Sequence, residues 1–258
     1  MRVEIKELRF SYGSFQVLKN ICMAAGPMVT AVIGPNAAGK STLLRCISGL
    51  LKADGEIILD DRDVKTFARR DLVKLLSFLP QETNGGAVLT VFEAVLLGRM
   101  HLLSWKVGDE DLAVVSKALD NLKIGHLAKR EIGELSGGQK QMVSIAQSLV
   151  RDPRLLIMDE PTNALDLRNQ MELFELIRRI AHDKQITAIV AMHDLNLAAR
   201  YAERIVVLKE GEIYSAGDPA SVLTEEMLAS VYGIKARVTI DENGIPQVIP
   251  LGPSEESN

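Results

Sequence analysis

Residues 34–42 read Gly34-Pro35-Asn36-Ala37-Ala38-Gly39-Lys40-Ser41-Thr42, and this string constrains the fold more tightly than any other part of the chain. It follows a nearly continuous apolar run, Met28 to Ile33, of the kind found in strands buried on both faces. It precedes a segment in which Leu43, Leu44, Ile47 and Leu50 share one face at helical spacing. A buried strand, a glycine loop and a helix start gather successive backbone N–H groups and the positive end of a helix around one point. Such a point cradles phosphate. Lys40, directly after the second glycine, supplies a point charge to the β and γ oxygens of a nucleoside triphosphate, and the Ser41 hydroxyl suits Mg²⁺. The chain is therefore expected to be α/β, with ATP and Mg²⁺ beyond the C-terminal end of a buried strand.

The hydrophobic pattern fills in the rest. Val3, Ile5, Leu8 and Phe10 give a broken alternation, and Val17-Leu18 opens a second short run, so the N-terminus reads as strands. Glu56 to Leu59 and Ser77 to Gln81 read as further short strands. Thr90 and Glu93 then have capping-box spacing before Ala94-Val95-Leu96-Leu97. Asp109 to Leu122 carries Leu112, Val115, Leu119 and Leu122 on one stripe, and Gln139 to Val150 reads as another helix. Helices in succession without a strand predict a helical subdomain inserted into the α/β core. Strands return at Leu155–Met158, Ile186–Met192 and Ile205–Leu208, alternating with helical patterns, which implies a parallel sheet with right-handed crossovers. Val238-Thr239-Ile240 and Val248-Ile249 flank the turn signal Asp241-Glu242-Asn243-Gly244, and residues 252–258 read as a frayed tail. This divides the chain into 1–237, with 1–83 and 151–237 as the nucleotide-binding core and 84–150 as the helical subdomain, and a hairpin and tail at 238–258.

A net charge of −4 argues against the basic footprint of a nucleic-acid binder. No run of about 18 uninterrupted apolar residues occurs, so no span is expected. The opening residues alternate charge with apolar side chains and lack the apolar core of a signal peptide. Cys22 and Cys46 have no histidine at ligand spacing and are expected to be two buried thiols of a reducing compartment. The expected location is the cytoplasm.

Two further motifs carry chemistry. Leu155-Leu156-Ile157-Met158-Asp159-Glu160 places two carboxylates at the end of an apolar strand, where ligands of open α/β sheets bind. Asp159 would hold Mg²⁺ and Glu160 would polarise an attacking water. Leu135-Ser136-Gly137-Gly138-Gln139 precedes a helix, with Ser136 as its cap, and forms a second anion-binding helix start. Together and in this order, the three motifs resemble the ATP-binding-cassette (ABC) ATPases over about residues 3–235.

That resemblance implies a P-loop NTPase (RecA-like) core with an N-terminal antiparallel β subdomain and an inserted helical subdomain. It places Tyr12 where an aromatic stacks on adenine, and Gln81 where a loop glutamine touches Mg²⁺ or the attacking water. It makes Asn163-Ala164-Leu165-Asp166 the loop that crosses a dimer interface, with Asn163 where Ser is more frequent, and His193 the histidine that reaches the γ-phosphate. It implies a head-to-tail dimer of two copies, in which Ser136, Gly137, Gly138 and Gln139 of one chain face the ATP held by the other. Ala37 stands where Gly is frequent, and its Cβ matters only if the position needs positive φ.

A lone cassette resembles an importer subunit that works on integral membrane permeases at the cytoplasmic face, indirectly with an extracytoplasmic solute-binding protein and without nucleic acid. Val95-Leu96-Leu97-Gly98-Arg99 with His101, and His193-Asp194-Leu195-Asn196-Leu197-Ala198, resemble the importers of iron-siderophores, haem, cobalamin and related metal chelates. Met100 stands where that branch often has Pro. A branch for metal ions or amino acids and a non-transport ABC protein remain as alternatives. The segment between Gln81 and Leu135 has room for a few short helices only, which favours transport.

Overall fold

The computed structural model describes residues 1–81, 88–100 and 107–254. Two sheets enclose one helix. Strands β1 (Val3–Tyr12), β2 (Phe15–Ala25), β4 (Asp54–Leu59) and β5 (Arg62–Asp63) form an antiparallel sheet in the order β2-β1-β4-β5. The larger sheet runs β10-β9-β3-β8-β7-β6. Its members are β3 (Val29–Ile33), β6 (Leu76–Leu79), β7 (Leu155–Asp159), β8 (Thr187–Ala191), β9 (Arg204–Lys209) and β10 (Glu212–Gly217). All are parallel except the edge strand β10.

Every residue of β3, β7 and β8 is buried, because both faces of the sheet are covered. Helix α1 (Lys40–Ile47) lies between the sheets. Its Leu43, Leu44 and Ile47 pack with Ile5 and Leu8 of β1 and with Val32, Ile157 and Ile189 of the large sheet. On the opposite face, Val29, Ala31 and Ile33 join Met158 and Val190 against α6 (Leu167–Asp183) and α7 (Leu195–Tyr201). Between β1 and α1, β2 is a full strand rather than a short run. Helix α1 is shorter than the leucine pattern suggests: it ends at Ile47, Gly49 takes φ +73°, and Leu50 is exposed. Met28 precedes β3 and is half-exposed.

The helices α3 (Val91–Leu97), α4 (Asp109–Asn121) and α5 (Gly137–Leu149) pack on one another and join the core of the large sheet. Val115, Leu119 and Leu122 are buried as the stripe predicts, whereas Leu112 is half-exposed. Arg99 ties the three helices together. Its Nε donates to Asp111 Oδ1 at 2.8 Å and its Nη1 to the Val150 carbonyl at 3.2 Å. That gives the Gly98-Arg99 pair a packing role, while His101 lies outside the described residues.

The C-terminal hairpin is longer than its turn signal indicates. Strand β11 (Ile234–Ile240) runs through residue 237, so the hairpin starts at Ile234. Strand β12 (Pro246–Pro253) carries Gly252 and Pro253 into the pairing, so these two are strand rather than tail, and residues 255–258 lie outside the described residues. Ala236 and Val248 are buried in the main core, so the hairpin packs as part of the same body. The two cysteines also differ. Cys46 is buried, and burial pushes its thiol up to about 12, but Cys22 is exposed because it faces outward on β2.

The capping box is present: Thr90 Oγ1 accepts from Glu93 N at 3.3 Å, and Glu93 Oε2 accepts from Thr90 N at 2.8 Å. Thr90→Ala should remove about 1 kcal/mol of stability. A lower denaturant midpoint with unchanged slope is the expected result.

Candidate functional site

The phosphate loop begins where β3 ends. Gly34 has φ +149°, and a Cβ there would run into the Leu208 carbonyl oxygen of β9. Gly39 has φ +103° and is the N-cap of α1, with no side-chain cap of its own. The first N–H groups of α1 therefore face the loop, as anion binding requires. Lys40 is buried and donates from Nζ to the carbonyls of Gly34 at 2.7 Å and Pro35 at 3.1 Å. Burial lowers its pKa, and the carboxylates of Glu160 and Asp159 oppose that shift.

Strand β7 delivers those carboxylates. Ser41 Oγ donates to Asp159 Oδ1 at 3.0 Å. Asp159 is fully buried, and its Oδ2 has no hydrogen-bond partner among the described residues. Burial raises its pKa. A buried carboxylate oxygen with an open acceptor site, beside a hydroxyl and a phosphate loop, fits a divalent cation with oxygen ligands.

Glu160 is the hub. It is buried and takes φ +51°, a left-handed conformation that non-glycine residues seldom adopt. Its Oε2 accepts from Gln81 Nε2 at 2.6 Å and from Asn163 Nδ2 at 2.7 Å, and His193 Nε2 contacts Oε1. Gln81 follows β6, Asn163 follows β7 and His193 follows β8, so three strand ends converge on one carboxylate. The cleft they share holds about 590 Å³ and is lined by residues 36–42, Gln81, Glu160, Asn163 and His193.

A second aromatic stands beside the cleft, one that the sequence does not single out. Phe15 and Val17 line the cleft, whereas Tyr12 is not among its lining residues. Tyr12 is half-exposed and sits edge-on to Phe10 at 4.8 Å between ring centroids. Phe15 pairs with Tyr12 across the hairpin turn and is exposed. The Gly13-Ser14 turn after an aromatic was the available signal. The motif places Asn163 in an interface loop and does not foresee its amide bond to Glu160.

The Ser136–Gln139 segment forms a capping box at the start of α5. Ser136 Oγ accepts from Gln139 N at 3.3 Å, and Gln139 Oε1 accepts from Ser136 N at 3.1 Å. A Cβ on Gly138 would lie 2.7 Å from the Ala164 carbonyl oxygen, so glycine permits the helix start to touch the 163–166 loop. Gln141 Nε2 donates to the Pro161 carbonyl at 3.0 Å and reinforces that contact. Asp166 caps α6, accepting from Asn169 N at 2.8 Å. Ser136 and Gly137 are exposed, and none of residues 136–139 or Asp166 is among the described residues that line the cleft.

The pattern of the ABC transporter family matches residues 20–163. The chain belongs to that family. It is an ABC ATPase cassette. An ABC transporter ATP-binding protein of Methanocaldococcus jannaschii is 42% identical, over 98% of this chain and 99% of the relative. The ferric enterobactin transport ATP-binding protein FepC of Escherichia coli is 35% identical over 97% of this chain and 94% of FepC. Among solved structures, a metal-chelate type ABC transporter in an inward-facing conformation matches with a TM-score of 0.81 and 27% identity, covering 96% of this chain and 97% of that one. A dimeric bacterial ABC transporter cassette matches with a TM-score of 0.78 and 28% identity, covering 84% of this chain and 98% of that one. No helix among the described residues is long and apolar enough to cross a membrane.

This cassette carries strain in its phosphate loop. Ala37 has φ +62°, so the position does need the positive φ that makes its Cβ matter. An alanine there costs about 1 kcal/mol relative to glycine. Ala37→Gly should therefore raise the thermal midpoint, by about 2–4 °C for a chain of this size. Differential scanning calorimetry of the two proteins measures it.

Proposed function

We propose that this cassette is the ATP-hydrolysing subunit of an importer for a metal chelate such as an iron-siderophore, haem or cobalamin. FepC and the hemin import proteins among its relatives support the substrate class. The observation that carries the coupling is the position of Gln81. It holds Glu160, and it directly follows Phe78, Leu79 and Pro80, which line a second, apolar groove of about 890 Å³. A segment seated in that groove would press on the strand end that supplies Gln81. Lys52, Lys65, Arg69 and Arg151 line the groove and, among the described residues, no carboxylate does. It suits an apolar permease segment bearing acidic groups. The chain would then sit peripherally at the cytoplasmic face, with a solute-binding protein acting on the other side.

At the cleft, residues 34–42 bind the phosphates, with Lys40 neutralising the β and γ oxygens. Tyr12, with Phe15 beside it, offers a face to adenine. Ser41, Asp159 and Gln81 would hold Mg²⁺, which neutralises phosphate charge when bound. Glu160 polarises the attacking water, and His193 reaches for the γ-phosphate. Residues 136–139 and Asp166 act across the interface on the partner's nucleotide. ATP then bridges two head-to-tail copies, and loss of the γ-phosphate releases them.

Glu160→Gln keeps shape but removes the base, so turnover should fall by about 10²–10⁴-fold. An ATP-bound dimer should accumulate on size-exclusion chromatography. Near-normal turnover would move the base elsewhere.

Mixing Lys40→Ala with Ser136→Arg tests the shared site. Each homodimer has two broken sites, whereas a mixed dimer has one intact site, built from one chain's Lys40 and the other's Ser136. Occlusion of labelled ATP should return on mixing, with differential tags verifying the mixed dimers. A site contained within one chain would show no recovery.

A further inference from the structure

The C-terminal hairpin is tied to the turn that follows His193 through Asn196, a residue that the ATP-binding motifs do not use and that does not itself line the cleft. Asn196 stands in the first turn of α7, three positions after His193. Its Nδ2 donates to the Val248 carbonyl at 3.2 Å, and its Oδ1 accepts from Val248 N at 2.8 Å. The amide thus satisfies both backbone groups of one residue in β12, as a neighbouring strand would. Val238 and Val248 face each other as a pair that exchanges no backbone hydrogen bonds, so Val248 directs its N–H and carbonyl outward to Asn196, and Val238 sends its own N–H to Glu225 Oε1 at 3.2 Å. Asp194 locks the same turn from the other side, accepting from Asn196 N at 2.8 Å and Leu197 N at 2.9 Å. Arg200, one turn on, approaches Asp241 of the hairpin at 3.7 Å.

His193 lies between the end of β8 and this turn, and it meets Glu160 through Nε2. Its backbone is therefore fixed at one end by the sheet and at the other by the start of α7. Helix α7 has only 7 residues, so few of its own hydrogen bonds resist a shift. The hairpin adds a polar restraint at the start of a helix that Leu197, Ala198 and Tyr201 anchor in the core.

We propose that Asn196, clamped on Val248, is a positioning residue for His193, and that the C-terminal hairpin is part of the hydrolytic apparatus. This rests on the role given to His193 above. Only an amide fits the place: a carboxylate would oppose the Val248 carbonyl, and alanine would lose both bonds.

The test uses the purified full chain and Mg-ATP, with Asn196→Ala and Val248→Pro. Because Val248 is buried, Val248→Ala, which keeps the N–H, controls for lost packing and should hold kcat within about twofold, whereas Asn196→Ala and Val248→Pro each break the clamp. Both should lower kcat about 5–10-fold, as small misplacements of a catalytic group do, with KM for ATP within about twofold. The His193 imidazole signal in NMR should shift, while those of His126 and His182, remote from the clamp, stay in place. A drop in thermal midpoint alone, with kcat within about twofold and the His193 signal unmoved, overturns the proposal. His193→Ala runs in parallel. If it leaves turnover intact, the role of His193 falls, and the NMR shift alone then decides whether the clamp positions the ring.

Discussion

A buried carboxylate that gathers donors from three strand ends organises this molecule. Glu160 cannot be buried at little cost unless its oxygens are engaged, and Gln81, Asn163 and His193 engage them. Each arrives from a different parallel strand, so the register of β6, β7 and β8 is tied to the chemistry. The sheet brings these ends together because its strands are parallel and buried on both faces. Anything that displaces one strand end changes the company that Glu160 keeps.

Asp159, next to Glu160, is satisfied on one oxygen only. The difference separates two roles within one dipeptide. Asp159 keeps one oxygen open, as the cation role proposed for it needs, whereas both oxygens of Glu160 are engaged.

The phosphate loop, both carboxylates and the capped start of α5 were legible because each is a contiguous string whose backbone geometry follows from local chemistry. Ser136 and Gln139 specify their own helix start, and the glycines of the loop specify its turns. The buried strands were legible for the same reason. What escaped was set partly by backbone turns that the hydrophobic pattern does not encode and partly by contacts distant in sequence. The end of α1 is decided at Gly49, against a leucine pattern that continues to Leu50. Cys22 is exposed because the alternation of β2 turns it outward between buried Ile21 and Met23, which an isolated cysteine does not reveal. Phe15 reaches the cleft because of the hairpin turn before it, and the Asn196–Val248 clamp joins segments more than fifty positions apart.

The contact between Gly138 and Ala164 has a consequence for engineering and for evolution. The start of α5 and the 163–166 loop fit only because one lacks a side chain and the other presents a carbonyl at that point. Two segments separated by a whole strand therefore behave as a single fitted part. A helical subdomain transplanted from another cassette would bring a foreign surface to this loop unless the loop travelled with it. Functional chimeras should have their crossover points outside both, and substitutions in one segment should become tolerable only in the company of matching changes in the other.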